Sequence, residues 1–526
     1  MPVEYHTERR SGDHPAVCFE TAVMDGPDGS NGPVTVNIPR STFEYTVVRA
    51  AYMFPVNEEL GYEKRIEDGY VLSHNDKIES CGQWTDAIAA RVAELAGKIY
   101  IVGGKPDSNE VPKHRAILMP GFVKAHGHDH ESPIIGLAKD VPLTEWLDGA
   151  VNIFTGFMNE QREMLTEKFQ DSPNHVTYLK ARVDDIYYGI TTNMCHHCNH
   201  NKYRVQEIVQ ANLQAGTTMY VAVGAQDRHY DARILDTPEQ AVARLDRYEQ
   251  QFGNAERTTI VPGPDQFFSN GPELLKALKG WARDHDRLFH IHSSEEPNTT
   301  KWFKETYGST PIEYADSIGV LDERTVVAHQ VNNTEHDLEL LKERGVKVVH
   351  NPLANTILGS GMPPVPEMLA KGIPVAISTD GSGSADFQNI ICGMRTASQY
   401  FRGRDSDPKV LPAAQCLAMA TAVPAKFLGL EKGQLRQGYS ADWGMLDLRR
   451  PNMTPTHLEN CMENMLWAAD GNEVTTVMSN GVILREQGAF TTIDVDALLE
   501  KVDMLAGELM EYKKHAAEIR GTGAHK

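Results

Sequence analysis

The chain has 526 residues, 41% hydrophobic and 23% charged, the balance of a soluble globular protein longer than one compact core usually grows. Asp and Glu outnumber Lys and Arg by 72 to 51, giving a net charge of −21, and such a surface argues against nucleic acid as a partner. No run of about 18 apolar residues is present, so neither a spanning helix nor a membrane partner is expected.

The seven cysteines (18, 81, 195, 198, 392, 416 and 461) are odd in number and scattered, which points to reduced thiols and a cytoplasmic location. The charged stretch from Met1 to His14 lacks the apolar region of a secretory signal.

Residues 1–44 are polar, rich in Gly, Pro and Asp, and weakly periodic, and read as an N-terminal arm. A β-rich run follows from Tyr45 to Asn57, then a candidate hairpin turned at Asn75-Asp76, a helix over 85–97 and a short strand at 100–104. Past residue 116 the texture changes, and apolar runs alternate with amphipathic helices. The runs are 116–126, 190–195, 217–225, 257–263, 287–292, 325–330, 347–352 and 374–380. Eight apolar strands, each followed by helical potential, predict a (β/α)8 TIM-like barrel over 116–432, with an open doubly wound sheet as the alternative. Residues 433–493 are again β-rich. Together with 45–115 they predict a small composite β domain, a β-sandwich made from both ends of the chain. Residues 494–526 read as a C-terminal helical tail.

Barrel enzymes keep their active sites at the C-terminal ends of the strands. The first predicted strand ends in His126-Gly127-His128, and alternate residues of an extended chain point the same way. The fifth ends in His290-Ile291-His292, with Glu295 just beyond. His292 is the ligand candidate there, and His290 is expected to be packed or hydrogen-bonded. The sixth ends at His329 and the eighth at Asp380. Each feature alone has a structural reading, such as Asp380 binding loop amides before a Gly/Ser turn or Glu295 at a helix start. Together they place three imidazoles and a carboxylate at one end of the barrel. That set suits one divalent ion, zinc first and iron second.

The ordered motifs MPGFVKAHGHDH, HIHSSEE, VVAHQ, VVHNPLANTILGSGMPP and ISTDGSGS resemble the amidohydrolase superfamily. The resemblance is to its branch of triazine hydrolases and cytosine- or guanine-deaminase-like enzymes, and it extends through IIGLAKDVPLTEWL, GQLRQGYSADWGMLDL and VTTVMSNGVIL. It implies a mononuclear site in which His126, His128, His292 and Asp380 ligate the metal and hydroxide completes the shell. Glu295 then shuttles a proton to the leaving amine, His329 steadies the attacked group, and Asp380 accepts a proton as well as ligating. Asp442 of SADW corresponds to a structural aspartate of the small domain. Dimers or higher homo-oligomers are also an expectation of the resemblance.

Two departures bear on the substrate. After the fourth predicted strand the chain reads Pro264-Asp265-Gln266-Phe267-Phe268-Ser269. Asp265 and Gln266 can hydrogen-bond a ring there, with Phe267 or Phe268 stacking on it, or the aromatics can belong to the core. The turn after Asp380 lacks an asparagine pair. The run Cys195-His196-His197-Cys198-Asn199-His200 offers His196 or His197 as pocket residues, with core packing and a second metal as alternatives. The sequence thus predicts an enzyme that attacks an amino-substituted heterocycle or amidine, a small-molecule substrate, and releases ammonia. Cyclic amide hydrolysis, or loss of chloride or an alkylamine, needs the same residues. A silent metal-bound scaffold is the alternative of another class.

Overall fold

A computed structural model describes residues 1–26, 32–105, 108–197 and 199–523. Eight parallel strands form the centre: β1 (Phe122–Gly127), β2 (Ile190–His197), β3 (Thr218–Ala225), β4 (Thr258–Pro264), β5 (Phe289–Ser293), β6 (Thr325–His329), β7 (Lys347–His350) and β8 (Val375–Ile377). They pair in the order β4-β3-β2-β1 and β5-β6-β7-β8. Between the two sets, Gln266 bridges His292 in parallel register. At the other seam Ser378 Oγ donates to His126 O at 2.6 Å and accepts from His126 N at 3.3 Å. The result is a (β/α)8 barrel with an added β domain. Helices cover its outside, so β2, β3 and β5 are buried at every residue. That burial on both faces is why the strands read as continuous apolar runs.

Local sequence sets the helix starts. Thr237, Thr310 and Thr334 each accept a backbone N–H three residues on, and Gln240, Glu313 and Asp337 return a bond to the cap residue. Each pair satisfies two of the helix's free amides. Proline follows the first two caps, where its fixed φ suits a first helical position.

The predicted strand at 116–126 is divided. His114–Pro120 belongs to the small β domain, and the barrel strand starts at Phe122. Gly121 lies between them with no room for a side chain, since a Cβ there would stand 2.5 Å from Thr191 Oγ1. The β domain is a nine-stranded sheet in which Trp443–Asp447 pairs with His114–Pro120, joining the two ends of the chain. It curls around Val48, Val71, Leu118, Trp443, Met478 and Ile483. Asp442, fully buried beside this junction, accepts from Lys432 Nζ at 2.9 Å, Ser479 Oγ at 3.0 Å and Asn480 N at 3.2 Å. It ties three segments together and takes no part in the site.

The residues expected as an arm form a three-stranded antiparallel sheet, Glu4–Ser11, Val17–Asp25 and Pro33–Ser41. Its first strand is almost wholly exposed and so carries no hydrophobic period. Backbone pairing to the second strand holds it instead. The sheet docks on the barrel through Arg40, whose guanidinium donates two 2.7 Å bonds to Glu256 just before β4. The C-terminal helix, Val495–Gly523, packs Leu505 and Leu509 against Leu143, Trp146, Phe154 and Phe157 over the mouth of the barrel. Among the described residues no helix is long and apolar enough to cross a membrane.

Candidate active site

His126 and His128 leave the end of β1 on one side, as residues two apart in a strand must. His292 comes from the end of β5, and Asp380 follows β8. The four converge. Asp380 Oδ1 is 3.3 Å from His126 Nε2 and 3.4 Å from His128 Nε2, while His128 Nε2 and His292 Nε2 are 3.2 Å apart. All four are buried.

The tautomers follow from the outer partners. His128 Nδ1 lies 3.0 Å from the carbonyl of His196, and His292 Nδ1 lies 2.6 Å from the carbonyl of Asp265. A carbonyl only accepts, so each Nδ1 carries the proton and each neutral Nε2 has a lone pair. Two lone pairs at 3.2 Å with no proton between them repel, and a cation between them turns that repulsion into coordination. His126 Nε2 is likewise buried, with no hydrogen-bond partner among the described residues, and its Nδ1 sits 2.8 Å from His290 Nε2. The site therefore fits a divalent ion held by nitrogen and carboxylate oxygen, with outer partners that orient the ligands. Burial lowers the pKa of His128 to about 4, which keeps its lone pair available.

Glu295 and His329 stand beside this centre. His329 Nε2 lies 3.6 Å from Glu295 Oε1 and 3.7 Å from Asp380 Oδ2, and its Nδ1 lies 2.9 Å from Asn355 Oδ1. Gln266 Nε2 donates to Glu295 Oε2 at 3.3 Å. His329 and Asp380 both hold left-handed backbone, φ +72° and +69°. For residues other than glycine that costs about 1–3 kcal/mol each, a strain met most often at functional sites.

Burial, reinforced by the nearby charges of Asp380 and Asp265 and opposed by His292, pushes the Glu295 carboxyl up to about 8 from an ordinary 4.5. In protein stripped of divalent ions, Glu295 therefore binds its proton more tightly when folded than when unfolded. The stability this contributes is complete below about pH 4.5 and lost as pH rises through about 8. We expect Glu295→Gln, which is neutral at every pH, to unfold at the wild-type temperature near pH 4.5 and above it near pH 8. Thermal unfolding in chelator at both pH values checks this, and an equal offset at the two would count against the raised pKa.

The cavity over the centre is lined by Glu295, His329, Asp265 and Gln266, which the sequence reading singled out, and by residues it did not. His130 and Glu131 follow His128 in a single 3-10 turn. Tyr230 donates to Asp265 Oδ2 at 2.6 Å. Leu143, Trp146, Leu147 and Val151 form an apolar cap from the 134–147 motif and the π turn after it. The density of His and acid in HGHDHE was the signal available for the first two.

Four candidate substrate contacts fall elsewhere. His196 is wholly buried behind His128, with Nε2 3.3 Å from the carbonyl of Pro264. His197 is wholly buried too, with Nδ1 accepting from Asn201 Nδ2 at 3.0 Å. Adjacent in the strand, the two point to opposite faces: His196 packs among His126, His290 and His292, His197 packs beside Tyr178, and neither lines the cavity. Phe267 is in the main core, and Phe268 packs against His229 and Trp302 outside the cavity. Of the Cys195/Cys198 pair, Cys195 is buried and free, and Cys198 lies outside the described residues.

Residues 117–484 match the amidohydrolase family. The chain is 30% identical over 424 residues to the 5-methylthioadenosine/S-adenosylhomocysteine deaminase of Aquifex aeolicus, covering 80% of this chain and 93% of that protein. It is 30% identical over 398 residues to the 5'-deoxyadenosine deaminase of Methanothermobacter thermautotrophicus, covering 75% and 87%. Among solved structures, the zinc-bound adenosine deaminase of Xanthomonas campestris superimposes with a TM-score of 0.76 at 23% identity, over 89% of this chain and 98% of that one. The zinc complex of atrazine chlorohydrolase from Arthrobacter aurescens has a TM-score of 0.76 at 21% identity, over 88% and 100%. The chain belongs to the amidohydrolase family and is a hydrolase of carbon–nitrogen bonds other than peptide bonds.

Proposed function

We propose that the chain is a mononuclear metal-dependent aminohydrolase that removes the amino group of an amino-substituted heterocycle as ammonia, with purine-type rings the first class to consider. The observation that carries this reading is the approach of two lone-pair nitrogens, His128 Nε2 and His292 Nε2, to 3.2 Å beside Asp380, with Glu295 and His329 a short step further out. Metal binding alone needs neither of the last two. A divalent ion, zinc first and iron second, bound by His126, His128, His292 and Asp380 would lower the pKa of a water so that a nucleophile exists near neutral pH.

The chain's own groups then manage the protons. Water adds to the ring carbon that carries the amine, and the bond from that carbon to the amine breaks. Of the two protons of water, one ends on the ring nitrogen and one on the departing amine. Glu295, held through Oε2 by Gln266, takes the first from the water and hands it to the ring, where the resemblance had it pass to the leaving amine. Asp380, which as a metal ligand would lie against that water, carries the second. His329 spends its Nδ1–H on Asn355 and so turns Nε2 to the attacked centre. The apolar cap of Leu143, Trp146 and Leu147 keeps bulk water out.

The test is an ammonia-release screen of metal-quantified protein against purine, pyrimidine, pterin, triazine and guanidino compounds. Ammonia from one class, abolished by a chelator, is the expected result. No ammonia from any of them, with about one metal still bound per chain, would overturn the reading.

A further inference from the structure

The backbone pairing of the barrel stops between β8 and β1. Among the described residues these two strands share no registered pair, and Val123 N of β1 donates instead to Ala420 O at 2.9 Å. The seam matters because β1 carries His126 and His128 while Asp380 follows β8. No backbone ladder therefore sets the distance between the two parts of the ligand set. Side chains must set it. Ser378 spans the seam to the backbone of His126. A second crossing runs through Lys124, which has no part in the steps above.

Lys124 is buried on β1, and its Nζ donates to Asp185 Oδ1 at 2.7 Å and to Gln388 Oε1 at 2.8 Å. The same Gln388 oxygen accepts from Thr379 Oγ1 at 2.6 Å, and Thr379 is the residue before Asp380. The head of Lys124 also lies against the turn between the two histidines. A Cβ on Gly127 would stand 2.9 Å from Lys124 Cε, 3.1 Å from its Nζ and 3.2 Å from Asp380 O. On the other side, Asp185 Oδ2 lies 2.9 Å from Arg182 Nη2. That nitrogen donates at 2.5 Å to Oδ1 of Asp129, the residue after His128. The contacts thus run without a break from the neighbour of His128 to the neighbour of Asp380. Asp129, Arg182, Asp185 and Gln388 are all buried with Lys124.

We propose that Lys124 and Gln388 are positioning residues, which close the barrel at the β8–β1 seam and hold Asp380 in register with His126 and His128. The assignment rests on the metal-centre reading of the same site. Two bases buried with two acids are a weak source of stability, because packed apolar side chains of similar volume hold a fold as well. What such a set supplies is fixed geometry. A metal site works only when its ligands are held to within about 0.5 Å, and their outer partners do the holding. Gln388 is the link to cut, since it carries no charge and makes no hydrogen bond to a ligand among the described residues. Losing its oxygen leaves the charge balance of the network unchanged.

The test is the zinc affinity of the metal-free full chain, read by competition with a chromophoric chelator, together with the absorption spectrum of the cobalt form. Gln388→Met keeps the length and charge of the side chain but loses the oxygen shared by Lys124 and Thr379. Zinc should bind to it about 10–100-fold more weakly, and the cobalt bands should shift. Gln388→Glu keeps that oxygen and should restore wild-type affinity and spectrum. Thr379→Val cuts only the last link, with almost unchanged shape, and should weaken zinc in the same direction even if Gln388→Met folds poorly. Lys432→Met breaks a buried Lys–Asp bond in the β domain and should leave zinc affinity unchanged, which separates positioning from general loosening. Wild-type affinity in both Gln388→Met and Thr379→Val, or an equal loss in Gln388→Glu or in Lys432→Met, would overturn the assignment. A wild-type chain that binds no zinc sinks the metal centre itself, whereas tight binding that the seam variants leave unchanged sinks only the role of Lys124 and Gln388.

Discussion

Glu295→Gln is expected to lower kcat by about 10²–10⁴-fold, the usual contribution of a positioned acid–base group, while metal content and fold are retained. The substitution keeps the shape and keeps an oxygen for Gln266 Nε2, its 3.3 Å partner. It removes the carboxylate beside His329 that takes the first proton from the water and releases it in the same cycle. Glu295 does not belong to the converging set of His126, His128, His292 and Asp380, so bound metal should stay at the wild-type ratio. The measurements are steady-state ammonia release and metal analysis of the same sample. A rate within about twofold of wild type would remove Glu295 from the proton path, and loss of the metal would place it among the ligands instead.

Stripping the metal, or replacing His292 by Ala, should have a still larger effect, with turnover falling by about 10⁴-fold or more because water near neutral pH is a poor nucleophile without a Lewis acid. Stability should fall as well. A ligand that binds only the folded state at about 1,000 times its Kd contributes about 4 kcal/mol. Removing it also restores the unrelieved contact of two lone pairs at 3.2 Å between His128 and His292. His292→Ala relieves that contact but opens a gap and leaves the carbonyl of Asp265 without its 2.6 Å partner. Activity of the chelated protein should return on adding one equivalent of zinc, whereas that of His292→Ala should not. Thermal unfolding and activity recovery read both effects. Full activity in chelator with no metal detected would refute the metal centre.

Much of this was legible in the sequence because the relevant signals are short in range. Continuous apolar strands alternating with helices mark strands buried on both faces, and eight such units imply a barrel. Strand ends can be read directly, so His126, His128, His292, His329 and Asp380 could be placed at one end of the molecule without coordinates. The pairing of the chain's two ends in one sheet was also readable, from matching β-rich stretches on either side of the barrel. The tertiary structure decided features whose partners lie far away in sequence. The first sheet escaped notice because Glu4–Ser11 is almost wholly exposed and held by backbone bonds that leave no pattern in side chains. His196 and His197 looked like pocket residues by composition, but β2 turns His196 in behind the metal ligands and His197 to its opposite face beside Tyr178, and neither lines the cavity. Phe267 and Phe268 turn away from the mouth for the same reason, since a loop of known composition still has no known direction. Glu131 is held in the cavity wall by amides 252 and 253 positions away, and no spacing along a chain records that.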